Sequence, residues 1–319
     1  MTIKVLRASK KKVISKFRKL IADTSFWKGF SIILLAILVL TQVFEISITP
    51  KWLDTRIVAE PDNIDIDIDS ISKVVLPEEG VTLPVAWGDF GKQMISDGVI
   101  DEAKFRALFE GGLTTNEEQM LTGNMDSPIV LNEKNSRYLL DLLWAFGLAN
   151  KNDILDNGEM TDEQYDGAGN FASTGGWSLA KGAGIDHYSM HSYIVLDAKQ
   201  QALVDKVSLG IFRPCCGNST HFPDCNHGMA MLGLLELMAK NGATEIEMYS
   251  VALKVNSFWF PQTYIDLATY FEEQGTDWAS VDPELALSAE YSSAQGYQQT
   301  KQLIESLPKP ELGGGGCGA

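Results

Sequence analysis

Residues 228–240 read GMAMLGLLELMAK. The leucines, methionines and alanines favour a helix, and Gly242 stands where a helix end wants a glycine. Two more helices are expected downstream. One covers Glu245–Phe258, and the other covers Gln262–Glu273 after Pro261 in its first turn. A last helix is expected over Ala294–Leu307, stopped by Pro308 and Pro310. Upstream, residues 133–149 put Leu139, Leu140, Leu143, Phe146 and Leu148 on one core-facing stripe. Asp101–Phe109 and the acidic start Thr115-Asn116-Glu117-Glu118 read as shorter helices. Strand signals are few. Ile64–Asp69 alternates apolar and acidic residues with period two, and His191–Asp197 (HSYIVLD) reads as a short strand or buried segment. The fold class expected is mainly α, with a few short strands.

The charge is unevenly spread. The net charge is −16, yet residues 1–28 hold nine Lys/Arg against one acid. The remainder carries 17 basic and 41 acidic residues, a net of −24. Such a body repels nucleic acid and attracts cations, so no nucleic-acid partner is expected. Residues 29–44 carry no charge, and Trp27 and Trp52 flank the apolar run. A transmembrane signal anchor is therefore expected over 29–49, with the membrane as partner. The basic residues on its N-terminal side place that end in the cytoplasm and the rest outside, in the periplasm or at the cell surface. The organisation expected is a basic segment (1–28), the anchor (29–49), a linker and edge strand (50–86), a globular domain (87–307) and a Gly-rich tail (308–319).

Immediately before GMAMLGLLELMAK lies the densest chemistry in the chain. Pro214 to Gly228 reads PCCGNSTHFPDCNHG, and it holds Cys215, Cys216, Cys225, His221 and His227. His187 and His191, the other two histidines, lie a short way upstream. Thiolate sulfur and imidazole nitrogen are the ligands that copper and zinc prefer. Two prolines and two glycines make the segment a turning loop, able to aim several side chains at one centre. His187 and His191 are four residues apart and would share a face on a helix, with Asp186 capping that turn. These seven residues form the candidate metal set. Met190, Met229 and Met231 lie beside them and favour copper, although core packing explains Met231 better. No pair of CxxC knuckles is present, so the pattern is not that of a zinc finger.

Other motifs point away from other functions. Residues 151–166 are acid-rich but lack EF-hand spacing, and read as a polar loop leading into a helix at Thr161. Residues 167–184 hold six glycines, without either phosphate-binding glycine motif, and read as a loop wrapping round a neighbouring site. The functional expectation is an extracytoplasmic protein that binds copper or zinc, in metal handling or sensing. Two readings compete with it. One is a cysteine-dependent hydrolase or transferase, with Cys216 or Cys225 as nucleophile, His187 or His191 as base and Asn226 or Asp224 as orienter. The other is a structural or interaction domain stapled by disulfides. Cys317, in the glycine tail, has no assigned role.

Overall fold

The computed structural model describes residues 66–304, all within one compact unit. The basic segment, the 29–49 stretch, residues 50–65 of the expected linker and the tail with Cys317 lie outside the described residues.

The elements run in the following order. Helix α1 (Ile68–Val75) leads to strand β1 (Val81–Gly88) and helices α2 (Phe90–Asp97), α3 (Glu102–Ala107) and α4 (Thr115–Thr122). Strand β2 (Met125–Leu131) and helix α5 (Ser136–Ala149) follow, then short helical turns α6 (Asp153–Asn157) and α7 (Ala172–Gly175). The rest is helical: α8 (Ala198–Gly210), α9 (Asn226–Lys240), α10 (Glu245–Trp259), α11 (Pro261–Glu273), α12 (Pro283–Leu287), α13 (Ala289–Ser292) and α14 (Ala294–Lys301).

Helix α9 is the centre of the body. Every residue from Gly228 to Ala239 is buried, the pattern of a helix packed on all sides. It lies along α5, with α7, α8 and α10 on its other flanks. The α5–α9 crossing depends on two glycines. A Cβ on Gly147 would sit 2.1 Å from the Met229 carbonyl oxygen, and one on Gly233 would sit 2.9 Å from the Gly147 Cα. Only bare backbone allows that approach.

Side-chain caps start most of the helices. Asp101, Thr114, Asp197 and Thr244 accept backbone N–H groups at the starts of α3, α4, α8 and α10. These are orphan donors that the helix itself cannot satisfy.

The two strands pair antiparallel, with Val81 opposite Leu131 and Gly88 opposite Met125. The register slips between Leu83 and Ala86, where Pro84 interrupts β1, and Pro128 stands opposite Ala86. Proline lacks the N–H that a regular ladder needs, so it falls where the ladder is already irregular. Trp87 is buried at the end of β1 and donates its indole N–H to the Met120 carbonyl at 2.8 Å.

Several expectations are corrected here. The described body is mostly helical, with two short strands, but no helix among the described residues is long and apolar enough to cross a membrane. The longest, α9 and α10, have 15 residues each. At about 1.5 Å per residue they span roughly 22 Å, short of the ~30 Å hydrocarbon layer. The transmembrane signal anchor and the single-pass topology with an extracytoplasmic domain are therefore withdrawn, and the 29–49 stretch itself lies outside the described residues.

Ile68 and Asp69 belong to α1, not to a strand. The Asp67 carboxylate accepts the Ser70 N–H at 3.2 Å and its hydroxyl at 2.5 Å, capping a helix that packs on α11. His191–Asp197 is not a strand either. His191 makes one isolated bridge to Asn150, and the segment then runs irregularly into α8. The polar stretch after Thr161 forms 3-10 turns in place of a helix.

Candidate metal centre

The thiol loop grows from the end of α8. Ile211 and Phe212 pair back with residues 219 and 220. Thr220 donates its N–H to the Ile211 carbonyl at 2.8 Å, and Phe212 bridges antiparallel to Ser219. The loop is anchored at two outer points. Asn256 Nδ2 donates to the Phe212 carbonyl at 3.1 Å, and the Ala294 N–H donates to the Cys216 carbonyl at 2.9 Å. Its far end runs into α9, where Cys225 is the N-cap and its Sγ accepts the Gly228 N–H at 3.5 Å. The positive end of a 15-residue helix therefore faces that sulfur.

The sulfur atoms of Cys215, Cys216 and Cys225 all lie within 4.8 Å of one another. Cys215 and Cys225 are 3.5 Å apart at sulfur. All three thiols are free, and no disulfide is formed among the described residues. The competing reading of a domain stapled by disulfides finds no bridge among these three cysteines.

The centre is organised by Arg213. Its side chain is 1% exposed. Nε donates to Cys225 Sγ at 3.0 Å, Nη1 to the Asn218 carbonyl at 3.1 Å, and Nη2 to Asp224 Oδ1 at 2.8 Å and the Phe222 carbonyl at 3.3 Å. Asn218 Nδ2 ties the other Asp224 oxygen at 2.8 Å. A buried guanidinium requires anionic partners, and here they are a carboxylate and a thiolate. Gly228 is required for the same reason, because a Cβ there would lie 2.4 Å from Arg213 Nη2.

The three thiols are electrostatically unequal. Hydrogen bonds from Cys215 and Cys216 hold Cys225 far below the ordinary thiol range, helped by His227 and Arg213 against the effect of burial. Its two neighbours move the other way. Hydrogen bonding to Cys216 and Cys225, with burial, pushes Cys215 far up. Cys216 is pushed up to about 11: its bond to Cys215 lowers it, but Cys225 and burial raise it. Of the three, Cys225 is therefore the thiol that deprotonates first.

The remaining candidates divide. His227 sits in the first turn of α9, its ring centroid 4.4 Å from Phe260 and 5.7 Å from Trp259. Its Nδ1 is buried and has no hydrogen-bond partner. His221 lies in the loop, but its Nδ1 is 4.0 Å from Glu159 Oε1 and it does not join the thiol group. His187 and His191 hydrogen-bond to each other, and neither makes a hydrogen bond or ring contact with a cysteine. Met229 and Met231 are buried in the α9 core, and Met190 is exposed.

Two residues that matter escaped the sequence reading. Arg213 directly precedes PCCGNSTHFPDCNHG, and a basic residue beside a thiol cluster in an acidic body was the signal for it. Asp97, close to His191, carried no signal, because 94 positions separate the two in the chain. No protein family, curated protein or solved structure matches this chain.

Proposed function

We propose that this protein binds a transition metal, zinc or copper(I), through Cys215, Cys216 and Cys225, in metal handling or sensing. The observation that carries the reading is the convergence of three free sulfurs within 4.8 Å. Three thiolates suit the soft copper(I) ion, and Cys₃His is a common set for zinc. His227 is the neighbouring imidazole with an unpartnered buried Nδ1, but its nitrogens do not join the three sulfurs within 4.8 Å, so it would have to turn towards them to serve as a fourth donor. Metal binding requires deprotonated sulfur. Cys225 is the thiol held below the ordinary range, and Arg213 offsets part of the negative charge that three thiolates would gather. Its N–H···S bond is the kind of outer contact that orients a metal ligand.

The hydrolase or transferase reading has less support. A thiolate at Cys225 suits a nucleophile. The bases named for it, His187 and His191, are engaged with each other, and Asp224 is engaged with Arg213.

Metal analysis of the full chain, purified without a metal-affinity tag, tests the proposal beside a count of free thiols. One thiol-bound zinc or copper per chain is expected, and Cys225→Ser is expected to lose it. Metal-free protein that takes up neither zinc nor copper(I) while its three thiols remain reduced would reject it.

A further inference from the structure

His187 and His191 form a second arrangement of ligand type. His187 closes a 3-10 turn, Gly184–His187, whose start is held by the Asp186 carboxylate on the Ala183 N–H. Ser189 then takes a left-handed conformation, φ 55°. That reversal, and not a shared helix face, stacks the His191 ring on His187 at a centroid distance of 5.6 Å. The loop is tied to the end of α5. Ser189 N–H donates to the Leu148 carbonyl at 2.8 Å, His191 N–H to Ala149 at 2.9 Å, and Lys151 N–H to His191 at 2.7 Å. Asn150 adds a strut. Its Oδ1 accepts the Ile194 N–H at 3.0 Å, and its Nδ2 donates to the buried Glu236 of α9 at 2.6 Å. The two imidazoles are thus fixed by backbone.

Their outer nitrogens decide where the protons sit. His187 Nε2 is 3.2 Å from the Lys181 carbonyl oxygen, which can only accept. That nitrogen carries the hydrogen, and Nδ1 is left with a lone pair. His191 Nδ1 is 3.6 Å from Asp97 Oδ2, and the same oxygen accepts the Tyr193 hydroxyl at 3.1 Å. At 3.6 Å that carboxylate is beyond hydrogen-bond reach of Nδ1, so Nε2 carries the hydrogen in the metal-free protein. His187 Nδ1 and His191 Nε2 face each other at 3.3 Å. In the metal-free protein one hydrogen on His191 Nε2 joins the two nitrogens, and an ion that takes its place shifts that hydrogen to Nδ1, facing Asp97. Two zinc–nitrogen bonds of ~2.05 Å at a tetrahedral angle put their nitrogens about 3.3 Å apart. Outer N–H groups resting on a carbonyl and a carboxylate are the usual support of metal-bound histidine.

We propose that His187 Nδ1 and His191 Nε2 form a second, thiol-free site for a divalent transition metal ion, with Asp97 and the Lys181 carbonyl as outer acceptors. His187 is buried and His191 is partly exposed, so the ion enters from the His191 side and water completes its shell. Imidazole with open positions suits zinc, nickel or copper(II), whereas the trithiol loop suits softer ions. The acidic body raises the local concentration of cations.

The test titrates the full chain with Zn(II) by calorimetry. In parallel, mass spectrometry follows protection of His187 and His191 from diethyl pyrocarbonate. The variants are Cys225→Ser, Asp97→Asn and the double variant His187→Gln/His191→Gln, each checked for helix content by circular dichroism. Cys225→Ser is expected to keep zinc-dependent protection of both imidazoles. The double variant is expected to bind one zinc fewer than wild type. Asp97→Asn is expected to weaken this site ten- to a hundredfold, with the thiol-bound metal unchanged. Equal zinc counts in wild type and a folded double variant, with no protection in Cys225→Ser, would show a pair joined by a shared proton only and overturn the proposal. Failure of the trithiol reading is read separately, as zinc lost from the cysteines while the imidazoles stay protected.

Discussion

Arg213 Nε lies 3.0 Å from Cys225 Sγ, and among the described residues the other hydrogen bonds of that guanidinium go to Asp224 and two backbone carbonyls. The pairing adds a positive charge to the hydrogen bonds from Cys215 and Cys216 that hold Cys225 below the ordinary thiol range. It also explains why a long charged side chain is buried beside the start of the central helix.

Replacing Arg213 by Gln removes the charge. Cys225 is then expected to need a higher pH to form thiolate, so the pH midpoint of its alkylation by iodoacetamide moves upward. Removing one partner of a buried ion pair also costs stability, about 3 kcal/mol, read by urea denaturation. An unchanged alkylation profile would show that the other thiols alone hold Cys225 down.

The thiol network has a signature in the metal-free protein. Unfolded cysteines titrate near ~8.5. Below that value Cys225 is deprotonated when folded and protonated when unfolded, so the unfolded chain binds more protons and stability rises with pH. Above it, Cys215 and Cys216 keep their protons only in the folded state, so stability falls as pH climbs towards about 11 for Cys216. The thiol contribution therefore peaks near pH ~8.5. Denaturation across that range should show the alkaline fall in wild type and a shallower one in Cys215→Ala/Cys216→Ala. The same slope in both would remove the thiols as its cause.

Gly228→Ala leaves every candidate ligand in place. Its added methyl would meet Arg213 at 2.4 Å, so the guanidinium must shift off Cys225. Metal affinity is expected to fall at least tenfold, the lower end of losses for outer-shell changes. Equal affinity in a folded variant would detach Arg213 from the metal site.

Asp141 on α5 is buried, and its Oδ2 has no hydrogen-bond partner. Burial raises its pKa from 3.8 to about 6, against a smaller lowering by Arg137. A raised carboxyl contributes stability below its unfolded pKa and loses it as pH rises through the folded one. At pH 7 the ionised group costs roughly 3 kcal/mol. Asp141→Asn should therefore stabilise the protein at neutral pH and have little effect near pH 4. A thermal melt at both values checks it.

Local signals were legible and long-range ones were not. The helices begun by Asp101, Thr114 and Thr244 were read because cap, acidic first turn and apolar stripe all lie within one short window. Helix α8 was missed because only Val204, Val207 and Ser208 in it are buried and its apolar stripe is thin. The Ile64–Asp69 alternation misled because Asp67 turned out to be a helix cap, a role that period-two spacing does not reveal. The thiol loop was visible as composition. Its organiser was not, because the contact of Arg213 with Cys225 depends on how the loop folds back. The meeting of His187 and His191 across a turn, not on one helix face, follows from the left-handed Ser189, for which the sequence carries no marker.

X-ray absorption at the zinc edge tests the central claim most directly, on the zinc-loaded full chain carrying His187→Gln/His191→Gln so that the thiol site alone holds zinc, with Cys225→Ser added as control. The account predicts a shell containing three sulfur atoms at ~2.3 Å, reduced in the control. A spectrum of nitrogen and oxygen alone, with the cysteines reduced and unligated, would contradict it.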